Sequence, residues 1–331
     1  MNRYSLSNLD FNLPVELIRQ SPPLKRSNCR LMILNSGVIS HSSFPKIINL
    51  FSKGDTIILN RTKVRKSLVY ATKQTGGKVS ITFLEKTESG FTAFIRGKVR
   101  DGDRIELSGR DVRVSSLGDG KRLISGQIDW DFIEKIGHLP LPPYIKKRAD
   151  YSYYQNEIGN ETNSIAAPTA SLHFDRPMLN KLANNGVKVL YVLLGVGYGT
   201  FKGITSEDIR EHIVDEEEIE VPEDTVSQIE NAKGNLVAVG TTVVRSLETA
   251  SLPGKIRPYR GRTRIFIYPG WKFNSNITHL LTNFHIPRSS LLSLVYAFGS
   301  EGRIKQAYEE AIREKYYFYS LGDAMLIDRW P

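Results

Sequence analysis

Four short segments of this chain are apolar almost without interruption: Leu31-Met32-Ile33-Leu34, the centre of residues 56–60, Val187 to Leu194, and Leu236-Val237-Ala238-Val239. Successive side chains of a strand point to opposite faces, so a strand with one wet face alternates apolar and polar residues. A strand that is apolar throughout is covered on both faces, as in parallel or mixed sheets sandwiched between helices. Helical patterns separate these segments. Asp175-Arg176-Pro177 opens one helix, with Pro177 suited to its first turn, and Gly186 closes it. Residues 44–51, 222–233, 242–250, 289–298 and 304–316 also have helical spacing, and Arg264–Tyr268 and His279–Thr282 read as further strands. The predicted class is α/β, a mixed sheet with flanking helices.

Residues 61–128 interrupt that rhythm. Val79, Ile81 and Phe83 alternate with polar neighbours, and short apolar stretches follow at Phe91–Ile95, Ile105–Leu107 and Val112–Val114. Gly76-Gly77, Ser89-Gly90, Asp101-Gly102 and Asp119-Gly120 punctuate them as turns. Short strands at this spacing predict a small β-barrel or sandwich. A short helix over Trp130–Ile136 and the proline-rich HLPLPPYI (138–145) end it. The expected layout is a β-barrel domain at 61–149 inserted into an α/β catalytic domain formed by 1–60 plus 150–331. The first two apolar strands join the later sheet, because they have too little around them to build a core alone.

Lys and Arg number 45 against 35 Asp and Glu, a net charge of +10, which favours polyanionic partners such as nucleic acid. The single cysteine, Cys29, forms no internal disulfide and fits a reducing compartment. No apolar run reaches eighteen residues, and the first residues, MNRYSLSNLDFNLP, carry no apolar signal core. A cytoplasmic protein without a membrane span is expected.

In open α/β sheets ligands bind beyond the carboxyl ends of the strands. Unusual residues follow four such ends here: GVGYGTF (195–201), GTTVVRSLE (240–248), PGW (269–271) and FHIPRSS (284–290). Gly195, Gly197 and Gly199 permit close backbone approach or simply turn a corner. The pattern is not the dinucleotide fingerprint. Gly240-Thr241-Thr242 opens a helix whose free N–H groups either hold an anion or form a plain cap. Arg245 lies one turn in. His173, His285 and His212 are general acid or base candidates. Glu216-Glu217-Glu218 reads as a solvated acidic run, and Asp323, before an apolar stretch, requires a partner if buried. Zinc-ligand spacing, GxSxG and the P-loop are absent from the sequence. The segment NSIAAPTASLHF (163–174) is too small-walled for a core and too apolar for a solvent loop.

Taken together, LPVELIRQSP (13–22), SNCRLMIL (27–34), GDTIILNRTKV (54–64), PLPPYI (140–145), SIAAPTASLHF (164–174), GVGYGTF (195–201), VAVGTTVVRSLE (237–248), FIYPGWKF (266–273), LTNFHIPRSSLLSLVYAF (281–298) and YYFYSLGDAMLI (316–327) resemble the S-adenosylmethionine:tRNA ribosyltransferase-isomerases of queuosine biosynthesis. The resemblance implies an α/β domain with an inserted barrel. It implies transfer of the ribosyl part of S-adenosylmethionine to 7-aminomethyl-7-deazaguanine at the tRNA wobble position, with adenine and methionine leaving and epoxyqueuosine formed. No metal or further cofactor is implied, since S-adenosylmethionine is consumed as a substrate. The partner would be a tRNA with a GUN-type anticodon, and the protein a monomer or weak homo-oligomer.

Mapped onto that chemistry, His173 and His285 would move protons, while Asp323 or Glu217 would orient the amine or the ribose hydroxyls. Ala167, Pro168, Thr169 and Ser171 would form a substrate wall, facing the loop of Gly197, Gly199, Thr200 and Phe201. Gly240, Thr241, Thr242 and Arg245 would hold the methionine carboxylate, with Asn283 and Pro287 nearby. Lys63, Arg65, Lys146, Lys147 and Arg148 would contact tRNA. The chain departs from the family pattern at three places. Gly195 and Asp215 replace histidines, and the region Asn60–Ser67 lacks two arginines. Ser171 also stands where the family usually has glycine. A divergent paralogue with an altered substrate and a non-catalytic RNA-binding protein are the alternative readings.

Overall fold

The computed structural model describes residues 2–331 apart from 119, 143, 146–150 and 253, with the backbone alone described at 151, 152 and 201. The chain divides into two compact units, one of residues 1–63 and 143–331 and one of residues 64–142.

The larger unit is built on a nine-stranded sheet. Its order is Tyr259–Thr263, Glu217–Val221, Lys188–Leu194, Thr56–Asn60, Leu236–Val239, His279–Asn283, Ala324–Asp328, Arg30–Asn35 and Val38–Ser43. The four strands from Lys188–Leu194 to His279–Asn283 run parallel. Ala324–Asp328 is antiparallel to His279–Asn283 and parallel to Arg30–Asn35. The outer strands on both flanks are antiparallel.

The apolar runs are explained by what lies on each face. Met32, Ile58, Ala238, Leu280 and Met325 enter one core, beneath the α-helices Glu223–Glu230, Thr241–Ala250, Ser290–Gly299 and Glu301–Arg313. Their neighbours Leu31, Ile57, Leu59, Val237, Val239 and Leu281 enter the other, beneath the helix Arg176–Asn184 and the 3-10 segment Phe44–Leu50. Each strand therefore needs apolar side chains at both parities. The helix at Arg176 starts as the sequence predicts, with Asp175 Oδ1 accepting from the Met178 N–H at 2.8 Å.

One predicted strand is displaced. Residues 264–268 are not a strand; Tyr259–Thr263 takes that role, paired with Glu217–Val221. In that pairing Arg262 faces Glu218 and Arg260 faces Glu220. The register sets opposite charges along this edge, and Arg262 Nη1 lies 3.9 Å from Glu216 Oε2, a pattern that apolarity alone does not reveal.

The smaller unit is a closed antiparallel barrel of Lys121–Ser125, Gly90–Arg96, Lys78–Thr87, Leu68–Lys73, Arg104–Leu107 and Arg110–Gly118. Val79, Ile81, Phe83, Phe91, Val112 and Val114 fill it, matching the predicted alternation. Gly90 adopts φ +141°, and a Cβ there would lie 2.3 Å from the Ile124 carbonyl oxygen. The helix Trp130–Ile136, capped by Asp129 Oδ1 on the Phe132 N–H at 2.8 Å, adds Ile133 to that core. Among the described residues, no helix is long and apolar enough to cross a membrane.

Candidate active site

The parallel strands of the larger unit end on one side of the sheet, and the segments leaving three of them meet there. Val196 and Thr200 follow Lys188–Leu194, Gly240–Thr242 follow Leu236–Val239, and His285 and Ile286 follow His279–Asn283. They surround a cavity of about 380 Å³. The segment 166–170 forms another wall, with Tyr144, Tyr154, Tyr319 and Ser320 beside it.

Backbone bonds hold the small-residue wall in place. Ile165 N–H donates to the Val196 carbonyl at 2.8 Å, and Ser164 Oγ accepts from the Val196 N–H at 2.8 Å. Pro168 then leads into a 3-10 turn, Thr169–His173. Ala170 faces Gly240, whose φ of +94° starts the helix Thr241–Ala250. That conformation belongs almost only to glycine. No side chain caps this helix, so its first N–H groups stay available beside the cavity.

Arg245 is buried and lines the same cavity. Its Nη1 is paired with Glu217 Oε2, and its Nε donates to the Ile265 carbonyl at 3.3 Å. Its Nη2 is buried without a hydrogen-bond partner. Glu217 is not a solvated acid. It is buried in the strand Glu217–Val221, and its Oε1 accepts from the Gly197 N–H at 2.8 Å. The carboxylate therefore ties the glycine loop to the guanidinium, and Glu217 stands behind Arg245 rather than in the cavity wall.

The two histidines separate. His285 lines the cavity, with Nε2 2.9 Å from Thr282 Oγ1. Burial lowers its pKa to about 3, so its imidazole is neutral at physiological pH. His173 is enclosed one layer further back. Its Nε2 lies 3.0 Å from Asn283 Nδ2 and its Nδ1 3.2 Å from Cys29 Sγ. Burial first, and the Arg26 charge second, lower its pKa to about 4. His212 borders a separate cavity of about 40 Å³ beside Asp215 and Lys202.

Asp323 is likewise outside the cavity wall. Its Oδ1 accepts from the Arg30 N–H and its Oδ2 from the Tyr317 N–H, both at 2.8 Å, and Arg30 Nε lies 3.5 Å away. It is the paired buried acid that the sequence requires, and it braces the turn that carries Tyr319. That tyrosine lines the cavity with φ +72°, a strained value for a residue with a side chain.

Of the predicted substrate wall, Ala167, Pro168, Thr169, Thr200, Gly240, Thr241, Thr242, Arg245 and Asn283 line the cavity. Ser171, Gly197, Gly199 and Pro287 are not among its lining residues, and of Phe201 the backbone alone is described, closing the turn Tyr198–Phe201. Pro269-Gly270-Trp271 lies elsewhere: Trp271 Nε1 donates to the buried Glu248 at 3.1 Å. The sequence reading missed Tyr144, Tyr154, Tyr319 and Ser320. Tyr144 and Ser320, joined through their hydroxyls, sit in the PLPPYI and YSLGD stretches, whose motifs the sequence shows but whose meeting at one cavity depends on contacts 176 positions apart. Tyr154 carried no signal.

The family model described as queuosine biosynthesis protein matches residues 6–327. The chain belongs to this family. It is 42% identical over 334 residues to the S-adenosylmethionine:tRNA ribosyltransferase-isomerase of Thermosipho africanus, covering 97% of this chain and 99% of that protein. It is 40% identical over 339 residues to the enzyme of the same name from Aquifex aeolicus, with the same coverage. Its fold is similar to the crystal structure of S-adenosylmethionine tRNA ribosyltransferase from Thermotoga maritima, at 33% identity and a TM-score of 0.56 over 97% of this chain and 99% of that one.

The positions that the sequence reading sets apart from the family pattern have these local surroundings. A Cβ on Gly195 would lie 3.0 Å from the Asn163 carbonyl oxygen, so a larger side chain there needs that segment to shift. Asp215 pairs with Lys202 Nζ at 3.1 Å on the surface. Arg61 is paired with Glu161 at 3.0 Å and Glu220 at 3.6 Å. Lys63 is half-buried. Arg65, in the barrel unit, pairs with Glu134 at 3.5 Å and stacks 4.2 Å from the Trp130 ring. The predicted tRNA contacts Lys146, Lys147 and Arg148 lie outside the described residues.

Proposed function

We propose that this chain transfers and isomerises the ribosyl part of S-adenosylmethionine onto 7-aminomethyl-7-deazaguanine in tRNA, giving epoxyqueuosine and releasing adenine and methionine. The observation that carries this reading is the cavity: small-walled on one side, and bordered by a helix N-terminus and a buried guanidinium with one free nitrogen. Its size suits a nucleoside-sized ligand.

Each part has a task in that chemistry. Arg245 Nη2 and the N–H groups of Thr241 and Thr242 hold the methionine carboxylate. The flat wall of Ala166, Ala167 and Ala170 lies against adenine or ribose. A proton must leave the carbon beside the sulfonium, and departing adenine must be protonated. Among the described lining residues, His285 is the histidine, placed in the cavity wall with its imidazole neutral; the three tyrosines are held protonated by burial. His285 is therefore the base in this reading, and His173 is not, because it stands behind Asn283. No cofactor is needed beyond S-adenosylmethionine itself, used as a substrate. The tRNA is one of GUN-type anticodon, met partly by Lys63 and by the basic residues 146–148. The net charge of +10 supports that electrostatic contact, and the buried, unpaired Cys29 supports a reducing, cytoplasmic setting for a monomer or weak homo-oligomer.

The test is incubation with tRNA bearing the aminomethyl base and S-adenosylmethionine labelled separately in ribose and methyl. Ribose label in tRNA with free adenine is expected. Methyl label in tRNA, or tRNA binding with no transfer, would overturn the reading.

A further inference from the structure

Asn283 ends the interior strand His279–Asn283, is buried, and lines the cavity. Its amide nitrogen is engaged on both sides: Nδ2 donates to the Tyr319 carbonyl at 3.3 Å and lies 3.0 Å from His173 Nε2. A carboxamide NH₂ has two hydrogens, so both are used within the protein. The reverse orientation would set Oδ1 against the Tyr319 carbonyl, acceptor facing acceptor. The carbonyl thus fixes which way the amide points.

That choice fixes the histidine. With Nδ2 donating, His173 Nε2 must accept, so its single proton sits on Nδ1 and faces Cys29 Sγ at 3.2 Å. An imidazolium would present an N–H to the amide NH₂, donor facing donor, and burial already disfavours that form. The chain Cys29–His173–Asn283–Tyr319 has one consistent arrangement. Its remaining group is Asn283 Oδ1, a buried acceptor without a partner. An unmet buried acceptor destabilises the fold unless a partner arrives to satisfy it.

We propose that Asn283 Oδ1 accepts a hydrogen bond from an N–H or O–H donor of the bound substrate, and that His173 is a positioning residue that holds the amide in the receiving orientation. This rests on the function proposed above. It replaces a proton-transfer role for His173 with a geometric one. The donor belongs either to the nucleoside of S-adenosylmethionine or to the aminomethyl base of tRNA, and the experiment separates the two.

The test compares His173→Gln, His173→Leu, Asn283→Ala and Asn283→Asp in the full chain. KM is measured for S-adenosylmethionine and for tRNA, and binding of S-adenosylmethionine by calorimetry. His173→Leu removes the acceptor and frees the amide to turn; His173→Gln supplies a carboxamide oxygen in its place. Asn283→Ala is expected to raise one KM 10-fold or more. His173→Leu should raise the same KM, with kcat changed less, and His173→Gln should restore it to within a few-fold. Asn283→Asp, similar in shape, puts a carboxylate on His173 and should introduce a new ionisation into the pH profile. A rise confined to S-adenosylmethionine assigns the donor to the nucleoside; a rise confined to tRNA assigns it to the base. Unchanged KM values in Asn283→Ala overturn the proposal, as do equal losses in His173→Leu and His173→Gln at equal stability. If His173→Leu fails to fold, the Asn283 pair and His173→Gln decide it alone. A wild-type chain that transfers no ribose overturns the function itself, a result separate from any difference among variants.

Discussion

Replacing Glu217 by glutamine tests how the corner of the cavity at Arg245 is held. The carboxylate is buried between the Gly197 N–H, at 2.8 Å, and the guanidinium of Arg245. Glutamine keeps the shape and one carbonyl oxygen but removes the charge. Arg245 would then be a buried cation whose remaining partner is the Ile265 carbonyl at 3.3 Å. A hydrogen bond to a charged group is worth about 1.5–3 kcal/mol, and breaking a buried pair outright costs about 3–5 kcal/mol. Glu217→Gln should therefore lose about 2–3 kcal/mol and Glu217→Ala about 3–5 kcal/mol, read from urea midpoints of the larger unit. Removing both partners, in Glu217→Leu with Arg245→Met, should be less destabilising than Glu217→Ala, because no uncompensated charge remains. The double variant should nevertheless fail to bind S-adenosylmethionine by calorimetry. If the single and double effects simply add, Arg245 and Glu217 are not coupled and the account of this corner is wrong.

Three further outcomes are expected. His173 and His285 have pKa values lowered from 6.5 to about 4 and about 3, so the unfolded chain binds more protons below pH 6.5; stability is full above that pH and falls by about 2 kcal/mol per histidine between pH 7 and pH 5. His173→Gln should remove about half of that drop in urea midpoints, and an unchanged slope would contradict the burial of His173. Gly240→Ala should cost about 1–3 kcal/mol by thermal melting, because φ is +94° there, and it should weaken S-adenosylmethionine binding by moving the helix start. Glu248→Ala should cost 3 kcal/mol or more, about 1 kcal/mol for each orphaned donor, since its carboxylate accepts from Trp271 Nε1 at 3.1 Å, Asn274 N–H at 3.0 Å and Ser275 N–H at 2.9 Å; intact Trp271 fluorescence would count against this.

The sheet was legible because its strands carry apolar residues at both parities, as Ile57, Ile58 and Leu59 do. The barrel was legible because Val79, Ile81 and Phe83 keep a period of two. The strand Glu217–Val221 was not, since a run of glutamates reads as solvent-facing unless the arginines that pair with it, forty residues later, are placed opposite. Arg260 and Arg262 supply that information, and register across strands is not a local property. The cavity was legible where it follows strand ends, at Gly240–Thr242 and His285. It was not legible where long-range contacts decide. His173 looks like a catalytic base in sequence because it ends a small-residue loop, yet Cys29 and Asn283, 144 and 110 positions away, enclose it.

The position of Ala324–Asp328 bears on how this protein is made. This strand is interior, lying between His279–Asn283 and Arg30–Asn35, although it comes far later in sequence than the latter. The early hairpin Arg30–Ser43 joins the rest of the sheet through that strand alone. On a ribosome, residues 30–43 therefore emerge long before the strand that docks them. A nascent chain would expose the apolar strand Arg30–Asn35, and the open edge of His279–Asn283, until residues 324–328 have emerged. Truncation before residue 324 would thus yield an aggregation-prone product, because both neighbouring strands lose their partner. Closure of the sheet waits on residues 324–328, nearly three hundred positions after the hairpin that they dock.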